Sequence, residues 1–421
     1  MNEVRELLIG FEFGRETSEI CYYDRKSEEP VCVTTKVGTN LFDFPSILAY
    51  VPSKNEWHFG LEAEYFGKLP GGIMVSSVYD LAFRGGSIRI ADREMEASEL
   101  LRVFFLESLK LLGIRNIVQS ISKIVVTTRE ISAPLVFAVR KAMSSIGLMA
   151  GHYSIQDHRE SFYYYTYSQR PDLWTRSVML FHFEKRYLSA FLLCEKKDTN
   201  PIEAGVQTLD SVRIPEGEEE KNRALLDYAA YAMKGNAFSG VLMTGGSFDP
   251  DVYKPACDDL SRERNRIYFE DDLFVKGACY AAYEQAERHA FRGRVFMSES
   301  RVRMNIGMDM IVGTNTVTVP LIRAGSSWFE ASESCELILD DRDYLIFTLQ
   351  EMGSAGRRNY RMDLPELPKR PNRTTRIRLT LACLSPEVCE IRAEDLGFGD
   401  FYPATHRIWK GSVSLLPETA D

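Results

Sequence analysis

Residues 7–24, LLIGFEFGRETSEICYYD, alternate around short apolar runs and then turn at DRKSEEP, a pattern that predicts two strands closed by a polar hairpin. DFPSILAYVPSKNEWHFGLEAEYF continues as strand, turn and strand, with Pro45 at a strand start where its missing N–H costs no ladder bond. A helical period then takes over. ASELLRVFFLESLKLLG puts Leu101, Phe104, Phe105, Ser108 and Leu112 on one face and stops at Gly113, a residue able to close a helix in left-handed geometry. SKIVVTT reads as a buried strand of β-branched residues, and PLVFAVRKAMSSIG as the helix after it, with Pro134 in its first turn and Gly147 past its last.

After an aromatic helix, ESFYYYTYSQ, the block SVMLFHFEKRYLSAFLLC repeats the strand, tight turn and strand of the opening. NRALLDYAAYAMKG is helical, SGVLMTGGSFDPDVYKPACDDL is strand, Gly-Gly turn and helix, and FEDDLFVKGACYAAYEQAERHAF is a helix entered past acidic residues that suit its positive end. From about residue 295 the helical period vanishes and some seven short β runs recur between polar turns. The expected organisation is an α/β domain over 1–292, with similar lobes at about 1–172 and 173–292, then an all-β sandwich over 295–416. The boundary is placed near RHAFRGR, residues 288–294.

Composition narrows the function classes. A chain of 421 residues, 45% hydrophobic, exceeds the size at which single cores stop growing. Its net charge of −9 and pI near 5.4 argue against a general nucleic-acid binder, which needs surplus Lys and Arg. The eight cysteines have no zinc spacing and read as reduced, mostly buried thiols, and the six histidines are scattered, so no metal site is expected. MNEVRELLIG lacks the features of a signal peptide, and the most apolar long run is broken by Glu184, Lys185 and Arg186. A soluble cytoplasmic protein is expected, with protein or small-molecule partners, no nucleic acid and no membrane.

A series of segments, taken in order, resembles the seventy-kilodalton heat-shock chaperones, whose ATPase domain has the actin-like, ribonuclease H-like fold. IGFEFGRETSEICYY resembles that family's first phosphate loop, G-I-D-L-G-T-T-N-S, and SVMLFHFEKRYLSAFLL its second phosphate strand pair. VLMTGGSFDP is similar to the adenosine motif V-L-V-G-G-S-S-R-I-P, and EDDLFVKGACYAA to the segment after it. RMNIGMDM, VPLIRAGSS, DYLIFTLQEM and TTRIRLTLACLSPEVCEIRAED run in the order of the chaperone peptide-binding β-domain, and only PETAD follows, where the family has a helical lid. The resemblance implies an actin-like two-lobed domain, ATP or ADP with magnesium as ligand, and an extended peptide as partner.

The residues that would act on phosphate are altered. Glu12 stands for the family's aspartate, Gly14 is kept, Arg15 and Glu16 replace hydroxyl residues, and Thr17 follows. One added methylene moves a carboxylate by about an ångström, a displacement that can cost roughly a hundredfold in rate. In the second loop His182 stands for an aspartate, and Glu184, Lys185 and Arg186 for three glycines that let backbone approach phosphate. Asp157 remains where the family has a glutamate. Gly245, Gly246, Ser247 and Asp272 keep the adenosine side, although a Gly-Gly turn after a strand is also explained by structure alone. About 46 residues separate Cys194 from Val241, too few for the family's adenine clamp. Arg15, Lys185 and Arg186 either face an anion or form surface ion pairs. The expectation is a pseudo-ATPase with no cofactor, Glu12 and Asp157 being vestigial. The alternative is a nucleotide-binding switch or very slow ATPase; sugar kinases of the same superfold are a remote third reading, since they keep the loop glycines.

In the β-domain, Met304, Met308 and Met310 alternate and share a face that is either core or an adaptable peptide surface, and Tyr344, Ile346 and Phe347 carry the same ambiguity. AGRRNYRMDLPELPKRPNRTTRIR sets eight basic residues against two acidic ones and reads as a solvated loop, or as a surface for an acidic protein.

Overall fold

The computed structural model describes residues 6–36, 38–262, 266–291 and 293–416. Residues 1–5 and 417–421, on which the leader and lid expectations rest, lie outside the described residues, as does Arg292 in the expected boundary. The chain divides into two units, Met1–Lys196 with Ala204–Gly293, and Lys197–Glu203 with Arg294–Asp421. The first is mixed α/β and the second is built of strands.

In the first unit β1 (Leu7–Phe13), β2 (Thr17–Asp24) and β3 (Glu29–Cys32) pair antiparallel in succession, since polar turns short enough for hairpins join them. Short elements follow: β4 (Phe44–Pro45), β5 (Leu48–Val51), β6 (Glu56–Phe59), α1 (Gly60–Phe66), β7 (Ile73–Val75), α2 (Val78–Arg84), β8 (Ser87–Ile90) and β9 (Arg93–Glu96). Helix α3 (Ala97–Leu109) starts where the Glu99 side chain accepts the Glu96 backbone N–H at 3.2 Å, and the chain leaves it through Gly113 at φ 66°. Then come α4 (Ile117–Ser120), β10 (Ile121–Thr128), α5 (Ala133–Ser145), β11 (Tyr153–Asp157) and α6 (His158–Ser168). The sheet runs β11-β10-β1-β2-β3, with β10 parallel to β1 and β11 parallel to β10.

The second half comprises β12 (Ser177–Glu184), β13 (Tyr187–Lys196), β14 (Ile202–Arg213), α7 (Glu218–Ala232), β15 (Phe238–Thr244), α8 (Lys254–Arg262), β16 (Ile267–Phe269) and α9 (Leu273–Tyr283). Its strands run β16-β15-β12-β13-β14, repeating the first sheet position for position, again with an antiparallel hairpin beside two parallel strands.

Helix α9 does not cover the half that precedes it. A Cβ on Gly10 of β1 would lie 2.3 Å from the Val275 carbonyl oxygen, and Cys279 Sγ donates to Leu8 O at 3.8 Å, so α9 packs on the first sheet. Residues 273–283 therefore belong with the first half, contrary to the division at 172/173 expected from the sequence. An amphipathic stripe fixes that a face is buried but not which sheet buries it. Helix α6 meets both halves: Ser161 Oγ shares a hydrogen bond with Thr127 Oγ1 at 2.7 Å, while Tyr165 and Tyr167 donate to Glu270 and Glu195. The two helices cross where a Cβ on Gly277 would stand 2.1 Å from Ser161 O.

Cys21 and Cys32 face one another across β2 and β3 and are joined as a disulfide, which corrects the expectation of reduced thiols throughout. The hairpin register opposes them, and an eleven-residue spacing carries no motif to signal it. Cys194 is exposed. No helix among the described residues is long and apolar enough to cross a membrane.

The second unit contains β17 (Arg294–Phe296), β18 (Met304–Val312), β19 (Asn315–Ile322), β20 (Ser332–Ile338), β21 (Tyr344–Glu351), β22 (Arg357–Asp363), β23 (Arg376–Ser385), β24 (Val388–Gly397) and β25 (Ile408–Ser414). Two four-stranded sheets, β19-β18-β21-β22 and β20-β23-β24-β25, share one core that includes Ile306, Phe347, Leu379 and Ile391. Strand β22 and the pairings of its neighbours correct the reading of the basic segment as a solvated loop. Arg361 bonds Asp363, Arg373 bonds Asp340, and Arg376 and Arg378 both reach Glu336. Arg370 is buried against Asp395. The positive charge of the segment is thus met largely by carboxylates of the same unit, which removes the premise of a free basic face.

Candidate functional site

The two loops that resemble phosphate loops are the β1–β2 and β12–β13 turns. The first is a four-residue turn, Gly14 to Thr17, between the paired Phe13 and Ser18. A Cβ on Gly14 would come within 2.3 Å of Thr17 O, so the glycine closes the turn itself, and Thr17 is exposed beyond it. The second turn has only Lys185 and Arg186 between the paired Glu184 and Tyr187, and Lys185 takes φ 52°, the left-handed region where glycine is favoured.

The charged side chains of both turns are engaged with each other and with their flanks. Lys185 donates to the carboxylate of Glu16, joining the turns directly, and Arg129 pairs with Glu184. Arg15 lies 3.0 Å from Asp80 and Arg186 3.0 Å from Glu216. Among the described residues, Arg15, Lys185 and Arg186 are thus each met by a carboxylate and do not form a free basic cluster.

Deeper in, Glu12 lies directly opposite Glu19 across β1 and β2. His158 Nε2 stands 3.0 Å from Glu12 Oε1 without alignment for a hydrogen bond, and its ring stacks on Phe274 at 3.9 Å. His182 meets the same Phe274 edge-on at 5.1 Å. Burial, with the neighbouring His158 and Arg129, pushes His182 down to about 3, so it is a neutral ring near neutrality and not the carboxylate that would order a metal. Glu19 has one carboxylate oxygen sealed from solvent without a hydrogen-bond partner. Burial, followed by the charges of Glu12, Asp272 and Asp43, pushes it up to about 9 against the opposing pull of Lys276. Asp272 is likewise raised, chiefly by burial. Lys276 donates to Glu270 Oε1 at 2.5 Å and stands 3.8 Å from Asp272.

Of the residues singled out from sequence, Glu12 and Asp272 share this acidic neighbourhood. Asp157 does not join it as a free ligand: Oδ1 caps α6 by accepting from Glu160 N at 2.9 Å, and Oδ2 accepts from Arg159 at 2.7 Å. Gly245 adopts φ 110°, and a Cβ there would sit 2.2 Å from Phe183 O, so close packing on β12 explains it. Gly246 faces open space, and Ser247 is exposed beside it. Glu19, Glu270, Lys276 and Phe274 were missed. Glu19 was accessible in principle, because a four-residue turn at 14–17 fixes the register that opposes it to Glu12. Among the described residues no group of three or more His, Cys, Asp or Glu is arranged to hold a metal ion.

In the second unit Met304 and Met308 are buried at 4% and 6% exposure, and Met310 packs against the same core. Of the two readings of these methionines, core or peptide surface, burial selects core for Met304 and Met308, with Met310 partly buried against it, so the set is not available as a peptide-binding face. Phe347 is fully buried; Tyr344 and Ile346 are half-buried on the opposite face of β21. Apolar groups are presented to solvent at the end of the β18–β19 hairpin, where Ile311, Val312 and Val317 are exposed by 61%, 59% and 46%.

Residues 29–299 match the model of the C-terminal part of a family of unknown function, DUF5716, and the chain belongs to that family. Residues 301–415 match a domain of unknown function, DUF8552. No curated protein matches the chain.

Proposed function

We propose that this chain is a degenerate relative of the seventy-kilodalton heat-shock chaperones: an actin-like two-lobed framework without ATP hydrolysis, joined to a β-sandwich that binds a protein or extended peptide in the cytoplasm. Repetition of the same strand order in two successive sheets supports the ancestry. The observation that carries the loss of activity is the Lys185–Glu16 pair, which puts side chains of both turns where a triphosphate would need backbone amides. On this reading magnesium and ATP or ADP have no place, and the framework holds its shape through its own ion pairs.

Peptide binding draws support from the β18–β19 hairpin, whose exposed Ile311, Val312 and Val317 offer an apolar strand end suited to strand addition. Titrating the full chain with labelled extended apolar peptides tests it. Saturable binding that is weakened in the Ile311→Ser, Val312→Ser double variant is the expected result, and absence of saturable binding overturns the reading. The proximity of Glu12, Glu19 and Asp272 favours one second reading, a nucleotide-binding switch or slow ATPase. Calorimetry with magnesium and ATP separates the two: turnover abolished by Glu12→Ala would establish the switch.

A further inference from the structure

Cys383 of β23 and Cys389 of β24 stand directly opposite one another, and both are buried, at 7% and 0% exposure. The backbone shows which kind of opposition this is. Cys383 N donates to Ala331 O at 3.0 Å, on the side away from β24, so the two cysteines form a non-hydrogen-bonded pair of the antiparallel ladder. Such pairs bring their Cα atoms to about 4.5 Å, the closest approach in the ladder and within the span of a disulfide. Cys21 and Cys32 share this geometry: Val33 N donates to Ile20 O at 2.8 Å, which leaves the adjacent cysteines as the non-hydrogen-bonded pair. That pair is a disulfide, whereas Cys383 and Cys389 are free thiols.

The two sulfurs are not equivalent. Their thiols hydrogen-bond to one another, and that contact lowers Cys383 against the opposing effect of burial, while it raises Cys389, which burial raises further. Glu390 O, 3.6 Å from Cys389 Sγ, is a second acceptor within reach of the Cys389 proton. Cys383 is therefore the readier thiolate. Access follows the same order. The register slips immediately after Cys383, where Leu384 is the extra residue between the Cys383–Cys389 and Ser385–Val388 pairs and is 57% exposed. A bulge interrupts the ladder locally, so the pair is open to small solutes from the hairpin end and on the Cys383 side.

We infer that Cys383 and Cys389 are a peroxide-oxidisable thiol pair, which closes to a disulfide across β23 and β24 and reopens with a dithiol. The Cys383 thiolate attacks one oxygen of hydrogen peroxide, the O–O bond breaks, the departing hydroxide takes up a proton as water, and Cys383 becomes a sulfenic acid. Cys389 then gives up its proton and attacks that sulfur; the S–O bond breaks and a second water leaves. The two thiols lose two electrons and two protons, and peroxide becomes two waters. The new bond staples the β23–β24 hairpin beside its turn. This inference is independent of the proposed function.

Treating the full native chain with a modest excess of hydrogen peroxide, then unfolding it in iodoacetamide and digesting it with trypsin, tests the pair. Cleavage after Arg378 and Arg392 leaves both cysteines in one peptide, residues 379–392. Mass spectrometry should find that peptide short of two hydrogens and without alkyl groups, whereas the untreated chain, or the oxidised chain returned to dithiothreitol, should carry an alkyl group on each cysteine. Cys389→Ser should stop the reaction at a Cys383 sulfenic acid that dimedone traps, and Cys383→Ser should leave Cys389 alkylated. Circular dichroism checks that both variants fold, and the wild-type peptide decides the matter even if one does not. A treated wild type whose peptide keeps both alkyl groups, gains oxygen, or is linked to a different peptide would overturn the inference.

Discussion

Lys185 and Glu16, 169 positions apart, join the turn of the second hairpin to the turn of the first. Both side chains are about two-thirds exposed, at 65% and 64%, so water and salt screen the pair. Its removal in the Glu16→Ala, Lys185→Ala double variant should lower unfolding free energy by less than about 1 kcal/mol, as read from the denaturant midpoint. A larger loss would mean that the pair holds the two halves together and does not merely occupy the space between them.

Gly245 and Gly246 separate packing from ligand binding. At Gly245 a methyl group would meet Phe183 O at 2.2 Å on backbone already at φ 110°, whereas at Gly246 it would meet nothing within 4 Å. Gly245→Ala should destabilise by more than about 2 kcal/mol or prevent folding, while Gly246→Ala should shift the thermal midpoint only slightly.

Glu19 should make the first unit less stable in alkali. Its folded carboxyl, pushed up to about 9 from an ordinary 4.5, binds a proton that the unfolded chain releases. The stabilisation is complete below about pH 4.5 and declines as pH rises through 9. Glu19→Gln should abolish that decline and raise the thermal midpoint at pH 8. Calorimetric scans from pH 5 to 9 giving parallel profiles for the two proteins would contradict this assignment.

Asp395 should behave in the opposite sense. Burial opposes its charge, but Arg370 and the Thr405 and Gly397 donors overcome that and hold its carboxyl well below the ordinary 3.8. The stabilisation is present above the ordinary value and lost as pH falls toward the depressed one. Asp395→Ala leaves the Arg370 guanidinium buried without its partner, which should cost about 3–5 kcal/mol of stability, measurable by urea unfolding followed through Trp409 of the adjacent strand.

The hairpins, the βα units and the change to β structure near residue 295 were legible because each rests on local periodicity and turn residues. Strand β22 was not, since Arg357, Arg358 and Arg361 look like a solvated segment until pairing with β21 fixes the strand, where Arg361 meets Asp363 two residues on and Arg358 donates to the carbonyls of Ser414 and Leu416. Met304 and Met308 illustrate a second limit: alternation shows that they share a face, but only the facing sheet decides that the face is core. At the cleft, Glu12 was visible as a motif position. Lys276 and Glu270 gather near it only through long-range pairing, on which local spacing is silent. Asp157 was visible as a vestigial carboxylate, but its capping of α6 was not, because an aspartate before a helix carries no local mark that separates a cap from a ligand.

The placement of α9 on β1 has a consequence for biosynthesis. The cover of the first sheet is encoded some 260 positions after the strand it shields, since Gly10 touches Val275 and Cys279. A ribosome delivers the opening hairpins long before that cover exists, leaving an apolar surface uncovered throughout translation of the second half. A premature stop before residue 273 would release a sheet open on one side, prone to aggregation or to capture by a chaperone.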